Sequence, residues 1–348
     1  MKSLMKTAFG LGALALSAGV SHAGTGDTLK AVQARGQLNC PGDIGSYLGF
    51  AEVDDKGVWK GLDIELCHAM ATAIFGDPAK ANIVPIDWAQ RWPALQSGDI
   101  DIVIKASGGT LSRDTELGLQ FSMSYYLGTT KVMAHKELGL TSLKDAEGGS
   151  ICVPASTSTE RQVASYLEAK GIKMEIVAIE KNEEVEAAYF SGVLLFAAIC
   201  SYAQWGPVLA IAASQSDDPS SHVLLPDVLA LEPEVMIARQ GDDNWVDVAN
   251  WTLSALIFAE QEGITSANVD EVKANPPSAE VGKFLGATPG VGKALGLSDD
   301  WAYNVIKKVG NYSEIFERSL GQQSPYKMPR EMTALWKDGG VLFPLVFD

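Results

Sequence analysis

Two short segments combine small residues, hydroxyls and charge in a way that suits an anion. The first is Ser107-Gly108-Gly109-Thr110-Leu111-Ser112-Arg113. Small residues let the backbone approach a ligand, hydroxyls donate, and the planar fork of Arg113 can clamp a carboxylate through two parallel hydrogen bonds. A polar turn ending in a surface arginine would read the same way. The second is Thr157-Ser158-Thr159-Glu160, a capping box that opens a helix. Free N–H groups and the helix dipole converge at such an N-terminus and attract anions; taken alone, the box does no more than start the helix. Both segments follow runs that read as strands, at residues 100–104 and 150–153. Ligands of α/β proteins bind beyond the carboxyl ends of such strands. Trp88 follows another run and reads either as core or as a ring facing the same space.

Other chemistries are not supported. After residue 23 there is no G-x-S-x-G, no H-E-x-x-H and no dinucleotide fingerprint. The stretch from Gly286 to Gly292-Lys293 has one residue too many for a phosphate loop, and Ala294 where a hydroxyl must hold magnesium. Cys40, Cys67, Cys152 and Cys200 match no zinc spacing, and His68, His135 and His222 are scattered, so neither a metal nor a cofactor is expected. Glu183-Glu184 with Glu186, and Asp217-Asp218, read as solvated faces.

The scaffold that must position the two loops is an alternation of strands and helices. Asp63 reads as the cap of a helix in which Ile64, Cys67, Met70, Ala71 and Ile74 fall at helical spacing, ended by Gly76-Asp77-Pro78. A strand is predicted at residues 82–86 and a short helix carrying Trp92 and Leu95 follows. The series repeats as strand 150–153, helix 157–170, strand 174–179, helix 182–190 and strand 194–199. Alternation of this length predicts parallel sheets covered by helices, and two series predict two lobes with a seam near residues 125–135. From residue 245 to 262 a long helix is expected, and the remaining tail reads as a helical cap on one lobe.

Residues 1–23 read as a secretory signal: Lys2 and Lys6, an uncharged apolar stretch at 8–20, and Ser21-His22-Ala23 with cleavage after Ala23. The stretch is shorter than the roughly 18 residues a membrane span needs. No cysteine follows the cleavage point, so a lipid anchor is not suggested. What remains is sized for about two domains. The whole sequence carries a net charge of −16 with 47% hydrophobic residues. Such a chain is globular, repels nucleic acid and gains nothing from an anionic membrane. Export makes disulfides possible.

Several longer motifs carry a family likeness. They include residues 35–40 (RGQLNC), 61–67 (GLDIELC), 91–101 (RWPALQSGDID), Ser112-Arg113-Asp114 and 157–160 (TSTE). They continue with 241–245 (GDDNW), 302–307 (AYNVIK), Val309-Gly310-Asn311-Tyr312 and Ala334-Leu335-Trp336. With these the chain resembles, over nearly all its length beyond residue 23, the periplasmic family 3 solute-binding proteins of polar amino-acid ABC transporters, and most of all the general L-amino-acid receptor subgroup. The resemblance implies a type II α/β fold of two lobes, 27–130 plus 238–348 and 134–231, with crossings near 127–133 and 232–237. It implies a periplasmic monomer that hands an amino acid or a similar small carboxylate to an inner-membrane ABC permease. The ligand's carboxylate would be held by Arg113, by groups around Ser107, Gly108 and Thr110, and by the turn of Ser156, Thr157 and Ser158. A Cys40–Cys67 disulfide is implied as well.

Three departures point to a changed ligand. The resemblance puts Cys200 where the family has an aspartate for the ligand's α-ammonium, and a neutral thiol does not replace a carboxylate there. Neither Glu232 nor Asp87 is seen from sequence to compensate, so a ligand without a free primary α-amine is expected. The usual Asn-Thr-Thr-Trp reads Ala106-Ser107-Gly108-Gly109, which removes a ring and is expected to leave room for a bulkier ligand. The usual Gln-x-Gly-Thr-Thr reads Pro154-Ala155-Ser156-Thr157-Ser158. The family's partner for Cys152 falls at Leu194, so a Cys152–Cys200 bridge is not assumed. The alternative function is a lyase on the same scaffold, similar to cyclohexadienyl dehydratases, with Glu160, Glu232 or Lys105 as acid–base groups.

Overall fold

The computed structural model describes residues 27–191 and 200–347. The signal segment 1–23 and the strand expected at 194–199 lie outside the described residues.

Helix α1 (Asp27–Arg35) leads into strand β1 (Leu38–Asp43), a two-residue ribbon of β2 (Glu52–Val53) and β3 (Trp59–Lys60), and helix α2 (Leu62–Phe75). Strand β4 (Ala81–Ile86) pairs parallel to β1, Leu38 opposite Ala81 and Asp43 opposite Ile86. Helices α3 (Arg91–Ser97) and α4 (Leu111–Thr115) follow, and then β5 (Leu119–His135), 17 residues long. The second lobe comprises β6 (Ser150–Pro154), α5 (Ser158–Lys170), β7 (Glu175–Ile179), α6 (Asn182–Phe190), β8 (Cys200–Trp205), α7 (Gly206–Gln215) and β9 (His222–Leu224). The chain returns along β10 (Ala230–Arg239) to the 19-residue α8 (Asp243–Gln261). The tail carries α9 (Val269–Ala274), α10 (Ala279–Phe284), α11 (Val291–Leu295), α12 (Trp301–Lys308) and α13 (Tyr312–Ser319).

The second-lobe sheet has the order β10-β5-β8-β6-β7, with β6 parallel to both β7 and β8. Strands β5 and β10 run antiparallel from Leu119 opposite Arg239 to Thr130 opposite Ala230 and form the two crossings between lobes. The tail helices share one apolar core with α2 and α8, where Phe258, Phe284 and Phe347 meet at ring distances of 4.9–5.1 Å. The tail therefore extends the first lobe.

Two local expectations are corrected. Helix α2 is capped by Gly61 and not by Asp63. Gly61 has φ 116°, and a Cβ there would meet the Phe50 carbonyl oxygen at 2.3 Å, so only glycine fits. Asp63 turns inward and accepts from the Ala106 N–H (2.9 Å) and the Tyr125 hydroxyl (2.8 Å). It can do so because α2 is enclosed on most sides, ten of its fourteen residues being buried. Residues 100–104 do not form a strand. The segment is wedged between β1 and β10, with Asp101 N–H on Asn39 O and only Val103 bridging Ile237, too few bonds for a ladder.

Cys40 on β1 and Cys67 on α2 are bonded, with Cα atoms 6.4 Å apart. Cys152 and Cys200 are bonded as well, at 5.8 Å. The sequence left this second bridge open, because the family's partner for Cys152 falls at Leu194. The register accounts for it: Ser150 lies opposite Cys200 and Cys152 opposite Tyr202, so the two cysteines are diagonal neighbours on adjacent strands.

Candidate ligand-binding site

The first anion loop is shaped by its pairing with the hinge strand. Gly109 N–H donates to Pro233 O (3.1 Å), and Val235 N–H donates to Ser107 O (3.1 Å). Thr110 caps α4 by accepting from Arg113 N–H, which turns the Arg113 side chain inward. That side chain is 3% exposed. Its Nη1 donates to Gly108 O and stands 3.6 Å from Glu232 Oε1. The guanidinium lies 5.0 Å from the Trp92 ring centre. The Ser107 hydroxyl is committed to Lys105 O (2.6 Å). A Cβ on Gly108 would fall 2.1 Å from Glu232 Oε1, so the absent side chain is what admits the carboxylate. Gly109 does not open ligand space as expected. A Cβ there would touch Phe121 (3.4 Å) and Val235 (3.5 Å), part of an apolar cluster.

The second loop lies at the carboxyl end of β6. Thr157 caps α5 through Glu160 N–H and donates to Pro154 O (2.7 Å). The return half of the box lands one residue early: Glu160 Oε2 accepts from Ser156 N–H (2.8 Å), with Ser156 at φ 60°. Ser158 and Thr159 are buried beside it. One turn along α5, Gln162 accepts from Thr130 Oγ1 (2.6 Å) and donates to Glu232 Oε2 (2.8 Å). Glu232 thus joins α5 of the second lobe to Arg113 of the first.

An aromatic group lies between the lobes. Trp88 is buried, edge-on to Tyr47 at 5.1 Å, with the Lys105 ammonium 4.4 Å from its ring centre. Its Nε1–H finds no acceptor among the described residues. Lys105 pairs with Asp43. Trp205, at the carboxyl end of β8, packs on Phe50 (5.6 Å) and Tyr47 (6.2 Å) of the first lobe and stacks on Tyr126 (6.3 Å).

Cys200 does not stand where a ligand-binding role needs it. It begins β8, its sulfur is bonded to Cys152, and it packs with Val185, Tyr189 and Tyr202 inside the second lobe. The seam end of that strand is Gln204 and Trp205. Among the described residues Asp87 accepts only from the Gln90 N–H, capping that turn (2.9 Å). Glu232 does reach Arg113, which was not visible from sequence. Sequence reasoning also missed Glu234 and Arg91. Their signal was present: a second acid in the apolar run of β10, and an arginine whose helix offers it an inward face.

The electrostatics follow from burial. Desolvation, with the like charge of Arg113, pulls the Arg91 guanidinium down to about 9. Desolvation lowers Arg113 too, and Glu232 and Glu234 oppose that. The Glu234 carboxyl is pushed well above its ordinary range by burial and by Glu232. Burial raises Asp63 to about 6 against the hydrogen bonds it accepts. Two of the three lyase groups are occupied elsewhere, Lys105 on Asp43 and Glu160 on Ser156, and the third, Glu232, is paired with Arg113 and Gln162.

The sequence profile of the bacterial extracellular solute-binding proteins, family 3, matches residues 43–263. The chain is similar to the general L-amino acid-binding periplasmic protein AapJ of Rhizobium johnstonii, with 40% identity over 98% of this chain and 97% of that one. It is similar to the glutamate/glutamine/aspartate/asparagine-binding protein BztA of Rhodobacter capsulatus, with 36% identity over 98% of each. Among solved structures, a periplasmic binding protein of an ABC transporter from Brucella ovis with glutathione bound superposes with a TM-score of 0.86. It is 40% identical, covering 92% of this chain and 99% of that one. These whole-length relatives are named as binding proteins and not as enzymes, so the lyase alternative is not favoured. The chain belongs to the bacterial extracellular solute-binding proteins of family 3 and has their type II fold of two α/β lobes joined by two crossings.

Proposed function

We propose that this protein captures an amino acid or an amino-acid-like small carboxylate between its lobes and delivers it to an inner-membrane ABC permease. The observation that carries the reading is Arg113, an arginine enclosed on a small-residue loop and joined through Glu232 and Gln162 to the capped helix of the other lobe. A carboxylate entering there meets a planar donor fork in a site with little water, where charge-assisted bonds are strongest. The relatives' names, which include L-amino acids and glutathione, support ligands of this class. The amine subsite is read as altered, because the seam end of β8 presents Gln204 and Trp205 and no acid. Lobes of 27–130 plus 238–348 and of 134–231, and a monomeric state, belong to the same reading.

A thermal-shift panel tests it. A ligand at 100 times its dissociation constant adds about 2.7 kcal/mol of stability. Small amino acids, γ-glutamyl peptides and carboxylates without an amine form the panel, and mass analysis of the incubated mixture reads turnover. At least one member should stabilise the protein and be recovered unchanged. Consumption of a member with appearance of a product would refute the receptor reading.

A further inference from the structure

Glu232 and Glu234 are alternate residues of β10, so both side chains leave the same face of the crossing strand. They are 2% and 0% exposed. Both Glu234 oxygens and Glu232 Oε1 have no hydrogen-bond donor among the described residues. Enclosed carboxyl oxygens normally have donors, and three bare ones on one face mark a place built for something else to supply them. Among the described residues no cation donates a hydrogen bond to them: Arg113 Nη1 donates to Gly108 O and meets Glu232 Oε1 only as an ion pair at 3.6 Å, beyond hydrogen-bond reach. Gln162 serves only Glu232 Oε2. The side chain missing at Gly108 keeps the space that Glu232 Oε1 occupies.

We propose that Glu232 and Glu234 form a cation subsite, which receives a primary ammonium of the ligand while Arg113 holds its carboxylate. The inference rests on the capture reading above and names the ligand class, a zwitterion whose amine is read at the hinge and not from β8. It replaces the expectation of an amine-free ligand. Two carboxyls side by side repel when both are ionised, and a shared ammonium reverses that. No cluster of three or more metal-holding side chains occurs among the described residues, so a metal ion is not the occupant these groups suit. Binding should also release a proton. Empty, Glu234 is biased to its neutral form by burial, Glu232 and Asp63, against the pull of Arg113 and Arg91, with Tyr47, Tyr125 and Tyr126 packed nearby. An ammonium arriving beside it favours the carboxylate.

Calorimetry on the processed protein tests this with L-glutamate, L-glutamine and glutathione, each beside its N-acetyl and deamino counterparts. The amine form of at least one probe should bind 30-fold or more tightly than its counterparts. Its binding heat should vary with buffer ionisation in the sense of proton release at neutral pH. Glu232→Gln and Glu234→Gln should each lose tenfold or more toward the amine form while changing its counterparts less than threefold, and the second should lose the proton release. If either variant does not fold, the wild-type preference and proton release decide. Counterparts that bind as tightly as amines, or variants that keep the preference, overturn the proposal. Amine-free probes bound only when Arg113 is present would overturn the cation subsite and leave capture standing. Failure of every probe to bind would overturn both.

Discussion

Replacing Arg113 by alanine removes the one cation that the first loop turns inward. Arg113 and Glu232 are both nearly fully enclosed and 3.6 Å apart. At an effective dielectric of about 20, unit charges at that separation interact by about 5 kcal/mol. A ligand carboxylate closer to the guanidinium feels at least as much before its own desolvation is subtracted. Measured losses on truncating one partner of an enclosed charge pair are about 2–5 kcal/mol, or roughly 30- to several-thousand-fold in affinity. Arg113→Ala should therefore nearly abolish binding in calorimetry of the best panel ligand. Arg113→Lys keeps the charge but loses the fork and should fall between, about tenfold or more below wild type. Glu232 retains Gln162 in both variants, so both should fold, which circular dichroism checks. A loss smaller than threefold in Arg113→Ala would refute the assignment.

The Cys152–Cys200 bridge closes a loop with a sequence separation of 48. Removing it should cost about 4 kcal/mol by chain entropy, read by urea unfolding of Cys152→Ser/Cys200→Ser; free thiols at both positions in freshly exported protein would contradict it. Peptide mapping without reduction should likewise return Cys40 joined to Cys67. Glu65 is pulled down to about 2, burial opposing but the two-pronged contact of Arg318 and the contact of His68 prevailing. A depressed carboxyl contributes stability that is present above its ordinary value near 4.5 and lost as pH falls toward 2. Arg318→Ala should thus destabilise the protein more at pH 6 than at pH 3, and equal losses would be contrary. Trp205→Ala, which removes the ring wedged against Tyr47 and Phe50, should cost about 3–5 kcal/mol in urea melts; a change under 1 kcal/mol would contradict that packing.

The fold was legible where periodicity and punctuation agreed. Helix α5 starts after the Thr157 cap and ends at residue 170, as read, and α6 spans the residues read for it. Residues 100–104 misled because an apolar run looks the same whether it pairs in a ladder or is wedged between two strands. Asp63 misled because a carboxylate near a helix start reads as a cap until its partners are known. At the site, Arg113 could be read from the small residues before it. Glu232 and Glu234 could not be assigned, because their meaning depends on a crossing strand that brings residues far apart in the chain into register, Glu234 opposite Gly108. Cys200 was misplaced because the resemblance fixes a position along the chain and not which strand end faces the seam.

Native mass spectrometry of the protein taken directly from the periplasm of its host tests the central claim most directly. One copy of the protein should carry one small zwitterionic acid, lost on unfolding, recovered chemically unchanged, and absent when the Arg113→Ala protein is isolated in the same way. A bound acid that persists in Arg113→Ala, or a ligand with no carboxylate, would contradict the account.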